Sequence, residues 1–306
     1  MERILVTGAA SWIGGRCVQT LERDHEVIAV DEFTPRLEFE APFHRFSLDS
    51  LDFAHFLIRA QPTTVLHLQT LDRSAELGSA RANEGVVLGG QALFGAIART
   101  PAVRHVVVKS DTAVYSTGPR HASVLDETTR ITGRATRYER NLRDIERFVT
   151  EVSGELPGVD FTVLRLASIV GSAVGNPLSR YLTLPTVPVM LGFDPRLQFI
   201  HEDDAAAALI YACHSPAPGV FNVAGDGILY LSRVLRLGRR IPQPLPSPQL
   251  RRARRLLASI GGPRLGQHTA NLLRYGRFTQ NVRMRTDLGF EPARSTREAV
   301  ARMYMP

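Results

Sequence analysis

The sequence predicts an α/β fold in which a doubly wound parallel sheet is covered by helices on both faces. Short runs of strand length alternate with segments of helical periodicity across the first 166 residues. The short runs are mostly apolar, as expected for parallel strands that are buried on both faces. Beyond residue 166 the alternation becomes irregular and richer in proline. We therefore expect a main domain over residues 1–166, a smaller lobe over 167–306, and a return of residues 197–224 to the main domain.

The predicted elements follow one another in the order that this fold requires. A strand over residues 4–7 leads through a glycine-rich turn into a helix. Further strands are predicted where short apolar runs recur, and further helices where apolar residues repeat every three or four positions. These strands cover residues 26–30, 64–68, 103–109 and 161–166, and these helices cover residues 86–99 and 138–152. Residues 241–248 contain four prolines, and we interpret them as a stiff surface connection.

The turn after the first strand carries the pattern of a dinucleotide-binding site. Gly8 allows a tight turn, Gly14 allows close packing of helix on strand, and the helix N-terminus presents N–H groups to a pyrophosphate. Asp31 ends the second strand, where a carboxylate accepts a hydrogen bond from a ribose 2′-hydroxyl and repels a 2′-phosphate. This pattern predicts a Rossmann fold that binds NAD rather than NADP. Ser11 replaces the middle glycine, where its side chain crowds the phosphate and its hydroxyl could donate to a phosphate oxygen.

Composition and charge favour a cytoplasmic protein without a membrane span. Cys17 and Cys213 show no disulfide or metal-binding spacing, which suits a reducing compartment. No apolar run reaches the roughly 18 residues of a membrane span, and the early first strand leaves no room for a signal peptide. The net charge is +7, but the basic cluster at residues 251–255 lacks the interleaved aromatic residues of a nucleic-acid site. We interpret this cluster as a solvated face or a weak contact for an anionic surface, and we expect no nucleic-acid partner.

Several segments, in order along the chain, match one known family. They are residues 6–14, Asp31, 65–68, 110–115, Tyr138 with Glu146, 164–165, 199–204, 219–225 and 288–292. Together they resemble an extended short-chain dehydrogenase/reductase of the NAD-dependent epimerase/dehydratase family, over nearly the whole chain. Within that family the chain is most similar to an actinobacterial branch labelled as UDP-glucose 4-epimerase-like. The resemblance implies NAD as the cofactor, a nucleotide sugar or similar polyhydroxy small molecule as the substrate, and a homodimer formed through helices 86–99 and 138–152.

The resemblance also implies a catalytic tyrosine, a lysine four residues later, and a serine or threonine that holds the reacting oxygen. Tyr138 matches the tyrosine, whereas Leu142 stands at the lysine position. Asp111 stands at the serine or threonine position, with Thr112 beside it. Because a nearby carboxylate raises the pKa of a phenol, Asp111 itself is an alternative acid/base group.

Lys109 is the only lysine of the chain and a further candidate for the catalytic set. It lies two residues before Asp111, so both side chains would point to the same side of a strand. Lys109 would supply the missing positive charge, hold Asp111 ionised, or form a structural ion pair at the end of the strand. The sequence leaves these three alternatives open.

The residues expected around the ligands follow from the same resemblance. Cofactor contacts are expected from Gly8, Ser11, Trp12, Ile13, Gly14, Asp31, Ser47, Leu48, Leu68, Gln69, Thr70, Ser110 and Tyr138. The acid that contacts adenine corresponds to Ser47 or, with a shifted register, to Asp49. Ser168, Arg180 and Arg283 are expected toward the substrate, since the arginine fork suits a diphosphate. For both arginines a surface salt bridge is the alternative.

Two functions of different classes fit these observations. The first is an NAD-dependent epimerase, dehydratase or reductase that uses Tyr138, Asp111 and Thr112. The second is an NAD-binding protein without redox activity, which acts as a sensor, a scaffold or a non-redox acid/base catalyst. The acidic run at residues 201–204 resembles a backbone tether rather than a metal site, because adjacent residues point in different directions.

Overall fold

A computed structural model of the chain describes residues 2–69, 80–119, 124–131 and 135–305. The first half alternates strands and helices: β1 (Arg3–Thr7), α1 (Trp12–Leu21), β2 (Glu26–Asp31), β3 (Phe43–Arg45), α2 (Leu51–Ala60), β4 (Thr64–His67), α3 (Ala80–Ile97), β5 (His105–Asp111), a 3₁₀ helix (Thr112–Tyr115), α4 (Arg137–Glu155) and β6 (Asp160–Leu166). The second half continues with β7 (Ser168–Val170), α5 (Pro177–Leu182), β8 (Thr186–Met190), β9 (Arg196–Leu197), β10 (Phe199–His201), α6 (Glu202–His214), β11 (Gly219–Val223), β12 (Leu229–Tyr230), α7 (Leu231–Leu237), β13 (Ile241–Leu245), α8 (Ser247–Ser259), α9 (Gln267–Tyr275), α10 (Val282–Thr286) and α11 (Thr296–Met303).

Among the described residues, seven strands form one parallel sheet in the order β11-β6-β5-β4-β1-β2-β3. One apolar cluster covers one face with α1 and α6, and a second covers the other face with α2, α3 and α4. This arrangement confirms the predicted doubly wound parallel sheet. The strand order reverses between β1 and β4, and a crevice opens at the carboxyl ends of strands where such a reversal occurs.

The residues beyond β6 build a third apolar cluster around α5, α7, α9 and α11. Short strand pairs accompany this cluster, and one of them corrects the sequence-based expectation for residues 241–248. Residues 241–245 form strand β13, which pairs in parallel with β8 in the described part of the chain. Prolines are tolerated there because an edge strand leaves alternate backbone positions without a ladder partner.

Two elements of the main domain had no clear sequence signal. Strand β3 is only three residues long and pairs with the end of β2. Helix α2 begins after Ser50, whose hydroxyl accepts a hydrogen bond from the N–H of Phe53, and it ends at Gln61 in the left-handed conformation. Phe53 and Leu57 anchor this helix because both are fully buried. The segment that joins these two elements contributes Ser47, Leu48 and Asp49 to the side of the crevice beyond β2.

Candidate functional site

The glycine turn after β1 is shaped by two positions that admit no side chain. Gly8 has φ of +75°, and a Cβ atom there would lie 2.7 Å from the backbone nitrogen of Gln69. A Cβ atom at Gly14 would overlap the carbonyl oxygen of Gly8. The strand, the turn and helix α1 therefore pack so closely that only glycine fits at both positions. This matches the role that the sequence assigned to each glycine.

Ser11 serves this turn in a different way from the one expected. Its hydroxyl caps helix α1 by accepting a hydrogen bond from the N–H of Gly14 at 3.0 Å, and it donates to the carbonyl oxygen of Gly8 at 2.9 Å. The hydroxyl proton is thus committed to the turn rather than to a phosphate oxygen. The N–H groups of Trp12 and Ile13 belong to those that a helix start leaves without an intrahelical acceptor, and they are placed to bind an anion.

Asp31 connects the end of β2 to the glycine turn. One carboxylate oxygen accepts a hydrogen bond from the N–H of Ala10 at 2.9 Å, and the other accepts from the N–H of Phe33 at 3.1 Å. Asp31 is 5% exposed but lines the cavity beside the turn. Because each carboxylate oxygen has two acceptor sites, the side chain retains capacity for a ribose hydroxyl. Its negative charge there disfavours a 2′-phosphate.

A cavity of about 730 Å³ runs along the carboxyl ends of the strands. Its volume lies in the range of small-molecule sites. The expected site residues that line it are Gly8, Ser11, Trp12, Ile13, Asp31, Ser47, Leu48, Leu68, Gln69, Lys109, Ser110 and Asp111. Gly14 lies behind the turn, and Thr70 is outside the described residues. The glycine cradle, the helix start and the acid at the end of β2 together fit a dinucleotide, with the pyrophosphate at α1 and a ribose at Asp31.

The end of the cavity beyond Asp31 holds a small acidic group. The hydroxyl of Ser47 lies 2.9 Å from a carboxylate oxygen of Glu32 and 2.5 Å from one of Asp49. The amide nitrogen of Gln69 donates to Glu32 at 3.4 Å. The alternatives Ser47 and Asp49 therefore belong to one cluster, and both line the cavity. Glu32 had not been singled out from the sequence, although it directly follows Asp31.

Asp111 and Tyr138 meet at the other end of the cavity. Asp111 ends β5, and one of its carboxylate oxygens accepts a hydrogen bond from the N–H of Ala113 at 2.7 Å. The hydroxyl of Tyr138 donates to the other oxygen at 3.3 Å. Asp111 lines the cavity, whereas Tyr138 is 2% exposed and, like the buried Thr112, is not part of the lining. The group that a ligand would meet is therefore the carboxylate, with the phenol behind it.

The position of the expected lysine lies in the apolar core. Leu142 is 1% exposed and packs in the cluster between the sheet and α4. Arg143, one residue later, is used elsewhere, because it donates to the carbonyl oxygen of Val114 and to the hydroxyl of Ser116. Lys109 lines the cavity beside Asp111. Burial and the charge of Lys109 lower the pKa of His67 to about 3, which makes His67 a neutral core histidine bonded to Thr7.

Three residues near Tyr138 and Asp111 were missed by sequence reasoning. Arg277 lies 3.5 Å from a carboxylate oxygen of Asp111. His268 packs against the ring of Tyr138 with a centroid separation of 5.4 Å, and its Nδ1 lies 2.6 Å from Glu139. Arg277 and His268 come from the C-terminal lobe, far away in the chain from Asp111. The sequence carried no spacing signal for them, and only Glu139, next to Tyr138, was within reach of a local pattern.

A buried ion pair supports the strand that ends at Asp111. The guanidinium of Arg165 on β6 binds both carboxylate oxygens of Glu146 on α4, with the shortest distance 2.6 Å. Ser110 donates to Glu146 at 2.5 Å, and Arg165 donates to the hydroxyl of Tyr115 at 2.7 Å. These contacts tie α4, β5 and β6 together directly behind the cavity.

A second cavity, of about 680 Å³, opens on the C-terminal lobe. It is lined by Arg196, Arg274 and Arg277 together with the aromatic side chains of Phe193 and Tyr275. None of these arginines had been expected at the site.

The structure does not bring the two expected substrate arginines to either cavity. Arg180 reaches toward the carbonyl oxygen of Gly261 on the surface, and Arg283 pairs with Asp287 at 2.7 Å. Arg283 thus forms the surface salt bridge given as the alternative, whereas Arg180 makes a surface hydrogen bond instead. Ser168 is 3% exposed at the start of β7 and also stays outside the linings of the two cavities.

The acidic run at the start of α6 acts as a set of backbone and side-chain tethers. His201 caps the helix through Nδ1, and the carboxylate of Glu202 accepts hydrogen bonds from the N–H groups of Ala173 and Val174. Asp204 accepts from the backbone and side chain of Arg294. Among the described residues no cluster of histidine, cysteine and acidic side chains could hold a metal ion. Over the same residues, the helices are too short or too polar to cross a membrane.

Comparison with known proteins places this geometry in context. A sequence model of the NAD dependent epimerase/dehydratase family matches residues 4–224. An uncharacterized protein of Mycobacterium tuberculosis strain H37Rv is 34% identical over 312 residues, which cover 97% of this chain and 81% of that protein. A UDP-glucose 4-epimerase of Thermotoga maritima, solved with UDP-glucose, superposes with a TM-score of 0.77 at 20% identity, covering 99% of this chain and 97% of that one. A UDP-glucose 4-epimerase of Thermus thermophilus, solved with NAD, gives 0.74 at 22% identity with the same coverage.

Proposed function

Because the chain belongs to the NAD dependent epimerase/dehydratase family, we propose that it is an enzyme that acts on a nucleotide sugar or a similar polyhydroxy small molecule. NAD is the cofactor of this family, so the family match confirms the cofactor that the glycine turn predicted. The observation that carries the proposal is the contact between Asp111, which lines the cofactor cavity, and the hydroxyl of Tyr138 at 3.3 Å. A carboxylate and a phenol at this place can hold and exchange a substrate proton.

The residues of the turn would hold the cofactor. The N–H groups of Trp12 and Ile13 would bind the pyrophosphate, and Asp31 would accept a hydrogen bond from a ribose hydroxyl. The acidic group of Ser47 and Asp49 would lie toward the adenine. When bound, NAD would supply the acceptor and donor of a hydride at a substrate carbon.

Asp111 would act as the acid/base group of the reaction. Its carboxylate is the part of the pair that lines the cavity, so it would take the proton of a substrate hydroxyl. Tyr138 would keep its proton, because a carboxylate at hydrogen-bond distance raises the pKa of a phenol. The phenol would therefore donate to Asp111 and orient its second oxygen. Thr112, the third expected catalytic residue, is buried beneath Asp111 in the 3₁₀ helix and would support the backbone there.

The proposal is tested by measuring NAD binding and hydride exchange separately. Calorimetry with NAD is followed by NMR of reaction mixtures that contain UDP-glucose, UDP-N-acetylglucosamine or UDP-glucuronic acid in deuterated buffer. We expect NAD binding, turnover of at least one compound, and a loss of about 100-fold or more in turnover for Asp111→Asn. The matched control Asp144→Asn, on the half-exposed face of α4, is expected to leave turnover unchanged. Turnover that is unaffected by Asp111→Asn would contradict the proposed role.

A second candidate function is an NAD-binding protein without redox activity. It is favoured by Leu142, which puts an apolar, buried side chain at the position of the family's lysine. NAD binding without hydride exchange on any tested compound would support this candidate. The absence of NAD binding would rule out both.

We propose a homodimer formed through α3 and α4. Its support is that these helices pack against each other on one face of the sheet, and that Leu88 on α3 is 55% exposed. Light scattering coupled to size exclusion is expected to give twice the chain mass. Leu88→Glu is expected to shift the protein toward the monomer.

A further inference from the structure

A buried row of polar side chains connects the C-terminal lobe to Asp111. Glu139 lies on α4, His268 lies on α9, and Arg277 lies just beyond α9. The Nδ1 atom of His268 is 2.6 Å from Glu139, and its Nε2 atom is 3.4 Å from a guanidinium nitrogen of Arg277. The other terminal nitrogen of Arg277 is 3.5 Å from Asp111. His268, Glu139 and Arg277 are 0%, 1% and 7% exposed, so the contacts among these three side chains are buried.

The chemistry of these groups fixes the direction of the hydrogen bonds. A guanidinium only donates, so Nε2 of His268 accepts and Nδ1 carries the proton. That proton is donated to Glu139, which also accepts from the hydroxyl of Ser116 and the N–H of Thr136. Burial alone would raise the pKa of Glu139, but the hydrogen bond and electrostatic attraction of His268, together with the hydrogen bonds from Ser116 and Thr136, lower it to about 2. Glu139 is therefore ionised and holds His268 in one tautomer.

We propose that Arg277 is a positioning residue, oriented by Glu139 and His268, whose positive charge keeps Asp111 ionised beside the hydroxyl of Tyr138. This inference rests on the proposed function, because it concerns the group that would handle the substrate proton. The hydrogen bond from Arg277 to the imidazole of His268 favours an orientation in which the guanidinium lies near the carboxylate of Asp111. The two lobes of the molecule thus share one electrostatic site.

Two other positively charged side chains, Arg143 and Lys109, lie near this row in the described part of the chain. Arg143 donates to Val114 and Ser116, on the far side of Glu139. Lys109 lines the cofactor cavity beside Asp111, and its charge also lowers the pKa of His67. Arg277 approaches from the side of the second cavity, which it also lines. Its charge therefore reaches Asp111 from the C-terminal lobe.

The test measures the ionisation of Asp111 directly, without a substrate. Protein labelled with ¹³C at the aspartate carboxyl carbon is titrated by NMR, and Asp111→Asn identifies the resonance. Loss of an adjacent positive charge raises the pKa of a carboxyl group by about 1 to 3 pH units. We expect this rise in Arg277→Gln and a return toward the wild-type value in Arg277→Lys. The matched control is Arg196→Gln, because Arg196 lines the same second cavity and stacks on Phe278.

A second variant addresses the support behind Arg277. His268→Phe keeps Arg277 but removes the acceptor that orients it, and we expect a smaller rise in the pKa of Asp111 than in Arg277→Gln. If Arg277→Gln does not fold, as judged by circular dichroism, His268→Phe and Arg277→Lys carry the test. A change of less than about half a pH unit in each folded variant would overturn the proposal, as would an equal change in Arg196→Gln.

This titration separates the inference from the proposed function. If the pKa of Asp111 rises as expected but the protein shows no NAD-dependent turnover, the role of Arg277 stands and the proposed reaction is wrong. If the protein turns over a nucleotide sugar but the pKa of Asp111 does not change in Arg277→Gln, the proposed reaction stands and the role of Arg277 is wrong.

Discussion

Removing Arg165 is expected to destabilise the protein strongly, because it leaves a buried charge without its partner. Arg165 and Glu146 are 6% and 7% exposed, and the guanidinium makes three contacts of 2.6–3.0 Å with the carboxylate. In Arg165→Met the apolar side chain fills much of the space but cannot neutralise Glu146. The carboxylate of Glu146 then loses its three contacts with Arg165 and keeps the hydrogen bond from Ser110.

The expected cost follows from the burial of this pair. Breaking a buried ion pair from one side typically costs about 3–5 kcal/mol, whereas replacing both partners by apolar residues is often close to neutral. Arg165→Met should therefore lower the free energy of unfolding by about 3–5 kcal/mol. With a shift of roughly 2–4 °C per kcal/mol, the melting temperature should fall by about 6–20 °C. The double variant Glu146→Leu/Arg165→Met should recover most of this loss.

Urea unfolding followed by circular dichroism measures the two single variants and the double variant. The exposed pair Arg147–Asp144 on the same helix is the matched control, since surface ion pairs contribute about 0–1 kcal/mol. A loss below about 1 kcal/mol in Arg165→Met would refute the reasoning. So would a double variant as unstable as the two single losses added together, because the cost would then not come from an unpaired charge.

Three further predictions concern the cofactor turn and the acid stability. Asp31→Ala should weaken NAD binding by about tenfold or more in calorimetry, since it removes the proposed acceptor for the ribose, one hydrogen bond from the turn at Ala10 and one from Phe33. Gly14→Ala should abolish NAD binding because its Cβ atom would overlap the Gly8 carbonyl oxygen, whereas Gly95→Ala, with no atom within 4 Å of its Cβ, should bind normally. The pKa of Glu139 is lowered from 4.5 to about 2, so ionised Glu139 stabilises the folded protein by an amount on the order of 3 kcal/mol. This contribution to the free energy of unfolding is complete above about pH 4.5 and is lost as the pH falls toward 2. Glu139→Gln should therefore flatten the dependence of urea stability on pH between about 5 and 3.

Each of these predictions has a clear contrary result. NAD affinity that is unchanged in Asp31→Ala would place the ribose elsewhere. Equal binding by Gly14→Ala and Gly95→Ala would contradict the close packing of turn and helix. If the free energy of unfolding of Glu139→Gln still falls with pH as in the wild type, other carboxylates determine the stability at low pH.

Local patterns predicted the parts of the site that lie close together in the chain. The strand, turn and helix over residues 4–14 form a unit whose shape is set by backbone sterics, so the glycines and Asp31 were readable from spacing. The recurrence of short apolar runs predicted the parallel sheet, because strands that are buried on both faces are largely apolar. The contact between Tyr138 and Asp111 was also within reach, because the resemblance to the family placed both residues at the end of β5 and the start of α4.

The remaining parts of the site could not be read in this way. Arg180 and Arg283 were selected by residue type and region, and the fold directs both to surface contacts. The hydroxyl of Ser11 was expected to be able to donate to a phosphate oxygen, but it donates to the carbonyl oxygen of Gly8 while it caps the helix start. Leu142 is a departure from the family pattern in the sequence, and only its burial shows that the position belongs to the apolar core.

The sequence by itself determined the parallel α/β fold and the NAD-binding turn, because both depend on hydrophobic periodicity and on steric limits within a few residues. Tertiary structure alone decided that a second positive charge, Arg277, stands near Asp111 in addition to Lys109. Arg277 and His268 reach the site from the C-terminal lobe, and ion pairs act through distance in space rather than separation along the chain.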